Sequence, residues 1–590
     1  MDNQRIARIF QEIGDMLEIN GENRFRVLAY QKAALTIGDL GTECSDIYGS
    51  GGTKALEEIP GIGKDLAQKI AEMIETGKCS YHVDLMKKFS PGLLEILRVR
   101  GVGPKKVKLF FSELQIDNPE KLRKAARAGM LRELPGMGEK SEADILKALE
   151  EYDMHTERMM LSQALNLAEE IITYMKKCRD VKKIEYAGSL RRMKETVGDL
   201  DILVAEADEK KSTKIMDHFV KYEDVKSVIA RGPTKTSVIL ESGIQSDLRV
   251  IDEKIFGAAL HYFTGSKDHN VAIRDRAKRM GLKISEYGVF EIIKKRGKEE
   301  EKLIGGKTEE EIFKAVGLPF IEPLLRENRG ELEAADKGKL PKTVELSDLR
   351  GDLHCHSNWS DGSHDIEEVA RYYRDAGYEY VSLADHSKSS TIAHGLTVDR
   401  YLMQWDEIDE VNAILAKESE AGAPAFRMLK GTECDILADG SLDLPDKVLK
   451  KFDVVVASVH SRFKMTGAEM TERVIKALKN PYVTILGHPS GRLINQREPY
   501  EIDMPKVIRA AISAGVALEI NSQPSRLDLF DYYCKMAKEW GAKFSIDSDS
   551  HHFSQIDFLK FGVAVAKRGW LTKEDVINTM KVEDLMNAVK

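Results

Sequence analysis

The sequence predicts a multidomain protein that is all-helical at its N-terminus, mixed α+β in the middle and α/β in its C-terminal part. Its 590 residues exceed what one hydrophobic core can organise, since single cores stop growing near roughly 250 to 300 residues. Apolar residues within residues 1–80 recur at helical spacing, and strand-like runs such as GDLDILVA come later in the chain. From about residue 348, apolar runs alternate with helical patterns, which is typical of βα units in a parallel sheet or barrel.

Composition places the chain among globular proteins and excludes two other classes. The hydrophobic fraction of 42% and the charged fraction of 32% argue against a disordered chain, and no apolar run is long enough to span a membrane. The opening MDNQRIARIFQEIGDML lacks the apolar core and cleavage site of a signal peptide, so we expect a cytoplasmic protein. The six cysteines form no CxxC pair, which argues against disulfides and a zinc ribbon; they are Cys44, Cys79, Cys178, Cys355, Cys434 and Cys534.

The net charge of −8 hides a difference between the two parts of the chain. Residues 1–330 carry about 56 basic and 55 acidic side chains, whereas residues 331–590 carry about 33 and 42. The acidity therefore lies in the C-terminal part, where bound metal ions would offset it. Whole-chain charge does not exclude a nucleic-acid partner, because phosphate contacts need only local basic clusters.

A short glycine pattern occurs three times within residues 59–149, as IPGIGKDLAQKI, VRGVGPKKVKLF and LPGMGEKSEADI. Glycines let the backbone approach a ligand, and the following helix offers free N–H groups to a phosphate. A single copy would be an ordinary tight turn, but three copies resemble helix-hairpin-helix motifs, which hold the DNA backbone without reading bases. We expect residues 1–80 and 81–150 to form two such helical domains, with DNA contacts from Gly61, Gly63, Lys64, Gly101, Gly103 and Lys105.

Three carboxylates predict a site for metal-assisted phosphoryl transfer. Asp199 and Asp201 lie two residues apart in GDLDILVA, so both side chains point to one face of a strand, and Asp247 lies in the next strong strand-like run. An isolated DxD pair more often consists of surface acids on a solvated strand edge. Here the upstream string AGSLRR changes the balance, because Gly188, Ser189 and Arg192 can cradle phosphates at a helix start.

This arrangement resembles the nucleotidyltransferase superfamily, and LHYFTGSKDHNVAIRDRAKRMGLKISEYG is similar to the thumb of the family X, polymerase beta-like DNA polymerases. The resemblance implies a palm over residues 151–250 and a thumb over residues 251–320. It implies two Mg²⁺ ions on the three aspartates, and DNA and dNTPs as partners. It also implies that Ser189 and Arg192 hold the triphosphate, and that further nucleotide contacts come from Tyr262, Phe263, Gly265, Asn270 and Arg274. Viewed alone, Tyr262 and Phe263 would be expected to pack in the hydrophobic core.

Residues 1–80 also resemble the lyase domain of that family, through FRVLAYQKAA and PGIGKDLAQKI. The resemblance places Lys69 at the position of the Schiff-base nucleophile. The sequence departs from the family at Asp65 and Tyr81, where repair members carry phosphate-binding lysines. A lyase and a Lys69 that only touches phosphate therefore stay open as alternatives.

Residues 321–347 are charged, contain two prolines and lack periodicity, which predicts an interdomain linker that permits movement. In the following domain, residues 348–590, nearly every histidine lies at the C-terminal end of an apolar run, where parallel barrels place catalytic groups. A single histidine at a strand end is usually structural, but nine candidate ligands at strand ends are not all structural. They are His354, His356, Asp361, His386, Glu433, His460, His488, Asp549 and His551.

Mixed imidazole and carboxylate ligands suit Mn²⁺, Zn²⁺ or Fe²⁺ better than Mg²⁺, and their number predicts two or three ions. The pattern resembles the polymerase and histidinol phosphatase (PHP) domain, a distorted (β/α)₇ barrel, and implies 3′→5′ exonuclease activity or cleavage at abasic or 3′-blocked ends. Cys355 is expected in the core. Arg462 and Arg492 are candidate phosphate clamps, with surface salt bridges as the alternative.

We therefore expect a monomeric gap-filling polymerase of base excision repair joined to a 3′-end-processing nuclease. One alternative is a template-independent or RNA-directed nucleotidyltransferase, which the thumb string argues against. A second is a DNA-end-binding scaffold with decayed sites, which the complete ligand sets argue against. In a third, the barrel hydrolyses a small phosphomonoester, and metal ligands alone do not exclude it.

Overall fold

The computed structural model describes the whole chain except residues 1–2, 39–43, 60, 87–91, 94–95, 97–98, 100–101, 156–157, 296–297 and 589–590. It divides into two compact units. The first comprises Met1–Arg158 and Ile239–Gln245, and the second comprises Met159–Val238 and Ser246–Lys590. Among the described residues, no helix combines the length and apolar content needed to cross a bilayer.

The N-terminal unit is helical, as predicted. Residues such as Ile6, Phe10, Ile13 and Leu17 fall on one face of the first helix and are buried in a core shared with the next helices. A second core lies further along the chain and includes Val107, Phe110 and Leu122 among its members. The helices are Asn3–Asn20, Arg24–Gly38, Cys44–Glu57 (kinked at Gly52), Lys64–Thr76, Ser80–Met86, Pro104–Leu114, Pro119–Arg127 and Glu139–His155, with a 3₁₀ turn at Leu131–Glu133.

The strands of the predicted palm are β1 Met159–Met160, β2 Ile184–Tyr186, β3 Thr196–Val197, β4 Asp199–Ala205, β5 Val225–Arg231, β6 Lys235–Leu240 and β7 Gln245–Ile251. Five of them form one sheet with strand order β2-β4-β7-β6-β5. A separate two-stranded ladder joins β1 and β3. The accompanying helices are Leu161–Met175, Gly188–Arg191 and Glu209–Phe219.

The predicted thumb packs three helices against a small antiparallel sheet. The helices are Phe256–Thr264, Lys267–Arg279 and Glu309–Ala315, and the strands are β8 Leu282–Ser285, β9 Gly288–Lys295 and β10 Lys298–Gly305, in the order β10-β9-β8. Ile273, Ile312 and Phe313 are buried in its core.

Residues 321–347 are not the loose spacer that the sequence suggested. They form a 3₁₀ turn at Pro323–Leu325 and a helix at Glu331–Asp336, before a further turn at Leu346–Asp348. Arg326 is fully buried and its Nη1 lies 2.5 Å from Glu309 Oε1, while Glu331 Oε1 lies 2.7 Å from His269 Nδ1. The charged residues that looked solvated are paired with thumb residues distant in sequence, so this segment is packed onto the thumb.

The C-terminal domain is a nearly closed seven-stranded parallel barrel, as predicted. The strands follow chain order: β11 Gly351–Cys355, β12 Tyr380–Leu383, β13 Arg427–Asp435, β14 Val454–Ser458, β15 Ile485–Leu486, β16 Ala517–Asn521 and β17 Phe544–Asp547. Leu353 N donates to the Asp547 side chain at 2.9 Å, which joins the first strand to the last.

Helices follow or cover the strands, so nearly every strand residue is buried. They are Ile366–Asp375, Val398–Glu420, Asp446–Leu449, Gly467–Leu478, Met504–Ala514, Asp531–Glu539, Leu559–Arg568 and Val582–Ala588, with 3₁₀ turns at Thr391–Ala393, Phe553–Phe558, Lys573–Asp575 and Ile577–Thr579. Cys355 is 1% exposed, which confirms its place in the core.

Candidate functional sites

The three glycine patterns form one repeated backbone turn. In each copy an N–H donates to the carbonyl three residues earlier, from Ile62 to Ile59 at 2.9 Å, from Val102 to Val99 at 3.0 Å and from Met137 to Leu134 at 3.0 Å. Gly61 and Gly136 have φ of +85° and +76°. A type II turn requires positive φ at its third position, which explains the glycine there.

The second glycine of each pattern leads into the next helix. Gly63 and Gly103 precede their helices with φ/ψ of −89°/175° and −91°/173°, so the two copies are nearly identical. A Cβ on either glycine would meet no atom within 4 Å among the described residues, and Lys64 is exposed. Both helix starts are therefore open to a phosphate. Gly101 and the side chain of Lys105 lie outside the described residues, and the DNA contacts stay a prediction.

Lys69 lies beside the two residues at which the sequence departs from the family. Its Nζ is 2.5 Å from Asp65 Oδ1 and 5.3 Å from the centre of the Tyr81 ring, and Arg26 Nη2 donates to the Tyr81 hydroxyl at 3.0 Å. Attack by Lys69 on a sugar aldehyde would require the ion pair with Asp65 to open. The lyase role stays a prediction.

The three predicted palm carboxylates converge on one site. Asp199 and Asp201 extend from the start of β4, and Asp247 lies on the neighbouring β7. Burial, followed by the charges of Asp199 and Asp247, raises the pKa of Asp201 to about 7. Such mutual repulsion, in a group of oxygen donors only, fits a site for Mg²⁺. Lys235 Nζ, 2.6 Å from Asp247 Oδ2, offsets part of the charge.

Gly188 lies against this carboxylate group. It begins a short helix with φ of +63°, and a Cβ there would lie 2.8 Å from Asp201 Oδ2. The preceding Ala187 N donates to Asp201 O at 2.8 Å, which fixes the turn to β4. Ser189 follows in the first turn of that helix and is partly exposed. Glycine is therefore needed for both its backbone conformation and its lack of a side chain.

Arg192 connects the AGSLRR string to the thumb. Its Nε is 2.9 Å from Glu327 Oε1, and its Nη1 donates to the Thr264 carbonyl. A Cβ on Gly265 would lie 3.1 Å from Arg192 Nη1, so the guanidinium lies directly beside that glycine. The structure thus brings together the predicted triphosphate and sugar residues of two distant segments.

The predicted wall for the sugar lies on the helix Phe256–Thr264. The Tyr262 and Phe263 rings are nearly perpendicular, with centroids 5.2 Å apart. Asn270 Nδ2 donates to Tyr262 O at 2.7 Å, while Asn270 Oδ1 is buried without a hydrogen-bond partner among the described residues. This free acceptor fits a role in binding the nucleotide. Arg274, on the next helix, is exposed.

Sequence reasoning did not assign two arginines of this region. Arg191 Nη2 is 2.6 Å from Glu309 Oε2 and its Nη1 donates to Thr264 Oγ1 at 2.8 Å, which ties the short helix to the thumb. Arg249 lies over the Phe263 ring at 4.2 Å. The two adjacent arginines in AGSLRR were the available sequence signal for Arg191.

In the barrel, Glu433 lies at the centre of the nine predicted ligands. Its carboxylate oxygens are 2.9 Å from His386 Nδ1, 3.1 Å from His460 Nε2, 2.9 Å from His488 Nε2 and 3.5 Å from His354 Nε2. It lies two residues before the end of the long strand β13, near the rim formed by the other strand ends.

Asp361 and Asp549 complete the ligand group from either side. Asp361 lies 3.4 Å from His551 Nε2 and 3.6 Å from His386 Nε2, and Asp549 Oδ1 lies 3.2 Å from His356 Nε2. Three subsets have donor atoms close enough for one ion each: His356, Asp361, His386 and His551; His354, His356 and Glu433; and His386, Glu433 and His460. The nine predicted residues thus surround one centre.

The donor chemistry fits bound metal ions. Among the described residues, His354 Nε2 and His356 Nδ1 are buried without a hydrogen-bond partner, an arrangement that metal coordination would satisfy. Burial, followed by the neighbouring His551, lowers the pKa of His356 to about 3, which leaves its imidazole neutral and able to bind a cation. Burial opposes protonation of His460, yet Glu433 and Asp435 raise the pKa of that imidazole to about 10.

Carboxylates behind the ligands orient two of the imidazoles. His354 Nδ1 is 2.6 Å from Glu519 Oε1, and His460 Nδ1 is 2.5 Å from Asp435 Oδ1. Such partners fix the orientation of a metal-binding imidazole. Neither acid was assigned from the sequence. The alternation of side chains along a strand was the available signal, since Asp435 is two residues from Glu433.

Three arginines near the barrel rim differ in their roles. Arg492 is 5% exposed. Its guanidinium donates to Arg526 O at 2.6 Å and lies 2.9 Å from Glu195 Oε2. Arg492 therefore belongs to a structural ion pair, and the prediction that it is a phosphate clamp is wrong. Arg462 is exposed close after His460. Arg526, which sequence reasoning missed, lies 3.5 Å from Asp549 Oδ2 and is partly exposed, so it is well placed to meet a phosphate.

Known protein families match most of the first part of the chain. The matches are a helix-hairpin-helix domain over residues 1–79, a SAM-like helix-hairpin-helix tandem over residues 93–151, the DNA polymerase beta palm over residues 158–243 and the DNA polymerase beta thumb over residues 259–327. These families agree with the four predicted domain types.

Relatives extend the comparison to the barrel. The chain is 37% identical over 588 residues to the DNA polymerase/3′-5′ exonuclease PolX of Bacillus subtilis (strain 168), which covers 99% of both chains. It is 31% identical over 241 residues to a probable phosphatase of Thermoanaerobacter sp. (strain X514), which covers 39% of this chain and 89% of the phosphatase. A probable phosphatase of Caldanaerobacter subterraneus is 32% identical over 162 residues, 26% of this chain and 61% of its own.

Proposed function

Because the chain belongs to the PolX family of DNA polymerases with 3′-5′ exonuclease activity, we propose that it fills short gaps during DNA repair and that its PHP barrel trims or cleans the 3′ end. The observation that carries this proposal is that one chain contains two groups of candidate ligands, three converging carboxylates in the palm and nine side chains at the barrel rim. Both sets suit phosphoryl chemistry on one polymer.

In the palm, Asp199, Asp201 and Asp247 would hold two Mg²⁺ ions. Bound there, the ions supply the charge that activates a primer hydroxyl and stabilises the triphosphate. The chain's own groups bind and orient the nucleotide. Ser189 and Arg192 donate hydrogen bonds to phosphate oxygens. Tyr262 and Phe263 close the pocket on the sugar side, and the bond from Asn270 to the Tyr262 carbonyl keeps that wall in place.

The helix-hairpin-helix turns supply a second kind of contact. Their open helix starts, at Gly63 and Gly103, accept backbone phosphates without regard to base sequence. A protein that fills gaps needs this property, because its substrate is defined by a break in the strand and can occur in any sequence.

At the barrel rim, the nine ligands would hold two or three Mn²⁺ or Zn²⁺ ions. Bound there, the ions supply a hydroxide at neutral pH and stabilise charge on a phosphodiester. Glu519 and Asp435 hold His354 and His460 in one orientation, and Arg526 and Arg462 donate hydrogen bonds to the phosphate being cleaved.

The test uses a duplex with a one-nucleotide gap, incubated with Mg²⁺ or Mn²⁺ in the presence or absence of dNTPs. Asp201→Ala should abolish extension and leave primer shortening intact, whereas His356→Ala should do the reverse. Ribonucleotides and untemplated ends are included, since efficient extension of either would support a different nucleotidyltransferase. A wild-type protein that binds this DNA but neither extends nor shortens it would refute the proposal in favour of a scaffold.

A second function of the barrel is favoured by its similarity to the probable phosphatases. In that case the rim would hydrolyse a small phosphomonoester or a 3′-terminal phosphate. Comparing DNA that ends in a 3′-hydroxyl, a 3′-phosphate or an abasic site with p-nitrophenyl phosphate, using His356→Ala as the control, separates these substrates.

A further inference from the structure

A buried ion-pair network joins the palm to the barrel within the second unit. Arg568, the last residue of the barrel helix Leu559–Arg568, donates through Nη1 to Glu327 Oε1 at 2.9 Å and to the Arg192 carbonyl at 2.8 Å. Its Nη2 lies 2.5 Å from Asp531 Oδ2. Glu327 Oε1 in turn lies 2.9 Å from Arg192 Nε. A residue of the barrel therefore touches both the backbone of Arg192 and the carboxylate that holds its side chain.

The network has little freedom to rearrange. The side chain of Arg568 is 2% exposed and that of Glu327 is 14% exposed. Although burial opposes ionisation, Arg568, Lys194 and Arg192 lower the pKa of Glu327 to about 2, so the carboxylate is charged at neutral pH. A buried ion that loses its partner is strongly destabilised, which keeps these side chains in one arrangement.

The network also contains more positive than negative charge. Four cations, Arg192, Lys194, Arg329 and Arg568, face the carboxylates of Glu327 and Asp531. A local excess of positive charge attracts a polyanion. Arg192 has 13% of its side chain exposed, so part of this positive charge reaches solvent.

Among the described residues, Arg192 uses only part of its guanidinium in hydrogen bonds. A guanidinium has five N–H donors in a rigid fork. Glu327 receives the one on Nε and the Thr264 carbonyl receives one on Nη1. These two bonds hold the side chain in one rotamer, with Nη1 directly beside Gly265.

We propose that Arg568 is a positioning residue of the polymerase site, through which the barrel holds Arg192 ready for the triphosphate of the incoming nucleotide. This inference rests on the proposed role of Arg192 in nucleotide binding. It means that the barrel serves polymerisation by a contact that is separate from its own metal ligands.

The test compares Arg568→Met with the wild-type full-length protein in single-nucleotide extension of gapped DNA. We expect the KM for dNTP to rise about tenfold with little change in kcat, because the rotamer freedom of one arginine is worth at most roughly thirtyfold in binding. The inhibition constant of inorganic tripolyphosphate should rise by the same factor, since that probe has phosphates but no sugar or base. Primer shortening by the barrel should keep its rate.

Glu195→Gln is the matched control. It removes the ion pair between Glu195 and Arg492, which also joins palm to barrel but does not touch the side chain of Arg192. Its KM for dNTP should equal that of the wild type. An equal rise in both variants would overturn the inference, because the effect would then reflect only a loosened boundary between palm and barrel.

Two further measurements keep the outcomes distinct. If thermal unfolding shows that Arg568→Met is not folded, Arg568→Lys takes its place. The lysine keeps the charge but loses the forked geometry, so a severalfold rise in the KM for dNTP is expected. Arg192→Ala tests the premise. A rise in KM for Arg192→Ala without one for either Arg568 variant would refute this inference alone. No rise for Arg192→Ala, or no extension by the wild type, would refute the proposed role beneath it.

Discussion

Replacing Gly188 by alanine tests whether the palm carboxylates form the polymerase site. Gly188 has φ of +63°, and its new Cβ would lie 2.8 Å from Asp201 Oδ2. The backbone conformation alone costs an alanine roughly 1 to 2 kcal/mol. The close contact adds a displacement of Asp201 by a few tenths of an ångström, and a misplacement of about 1 Å at a reacting centre, the upper limit here, reduces rates by about a hundredfold. We expect kcat for extension to fall about ten- to a hundredfold.

The assay measures extension and primer shortening of the same gapped duplex at saturating dNTP. Gly338→Ala is the matched control, because Gly338 has φ of +62° but a Cβ there would meet no described atom within 4 Å. Both variants should lose similar stability in thermal unfolding, while only Gly188→Ala loses extension. Equal extension rates for the two variants would show that the position of Asp201 does not limit polymerisation.

Three other perturbations probe the barrel, the network and the metals. Glu519→Gln removes the charged partner of His354, so Mn²⁺ affinity measured through primer shortening should fall about ten- to a hundredfold while extension is unchanged; an unaltered Mn²⁺ titration would contradict this role. The pKa of Glu327 is lowered from 4.5 to about 2, so its charge contributes stability above pH 4.5 that is lost as pH falls through about 2. In urea unfolding, the advantage of wild type over Glu327→Gln should be about 3 kcal/mol at pH 7 and shrink by about 1.4 kcal/mol per pH unit below 4.5; a constant difference would argue against an ionised Glu327. After treatment with a chelator, Mg²⁺ should restore extension, whereas primer shortening should need Mn²⁺ or Zn²⁺; restoration of both activities by Mg²⁺ alone would contradict the assignment of ions to the two sites.

Local rules predicted much of this molecule. The pairing of Asp199 with Asp201 follows from the alternation of side chains along a strand, and the structure places both beside Asp247. The histidines at strand ends meet because parallel strands in a barrel end at one rim. The repeated glycine turns follow from the need for positive φ in a type II turn.

Other features depended on approach between distant segments. Residues 321–347 read as a spacer because they are charged and aperiodic, yet Arg326 and Glu331 are buried against partners in the thumb. Arg492 read as a phosphate clamp because it follows His488, yet it pairs with Glu195, far earlier in the chain.

The sequence by itself determined the domain types, the strand faces and the residue types that can bind metal, because these depend on backbone geometry and on spacing along the chain. Only the tertiary structure decided which charged groups are partners: Glu519 with His354, Arg492 with Glu195, and Arg568 with Glu327. An ion pair or a hydrogen bond forms between any complementary groups that folding brings within about 3 Å, and a pattern of neighbouring residues contains no information about that distance.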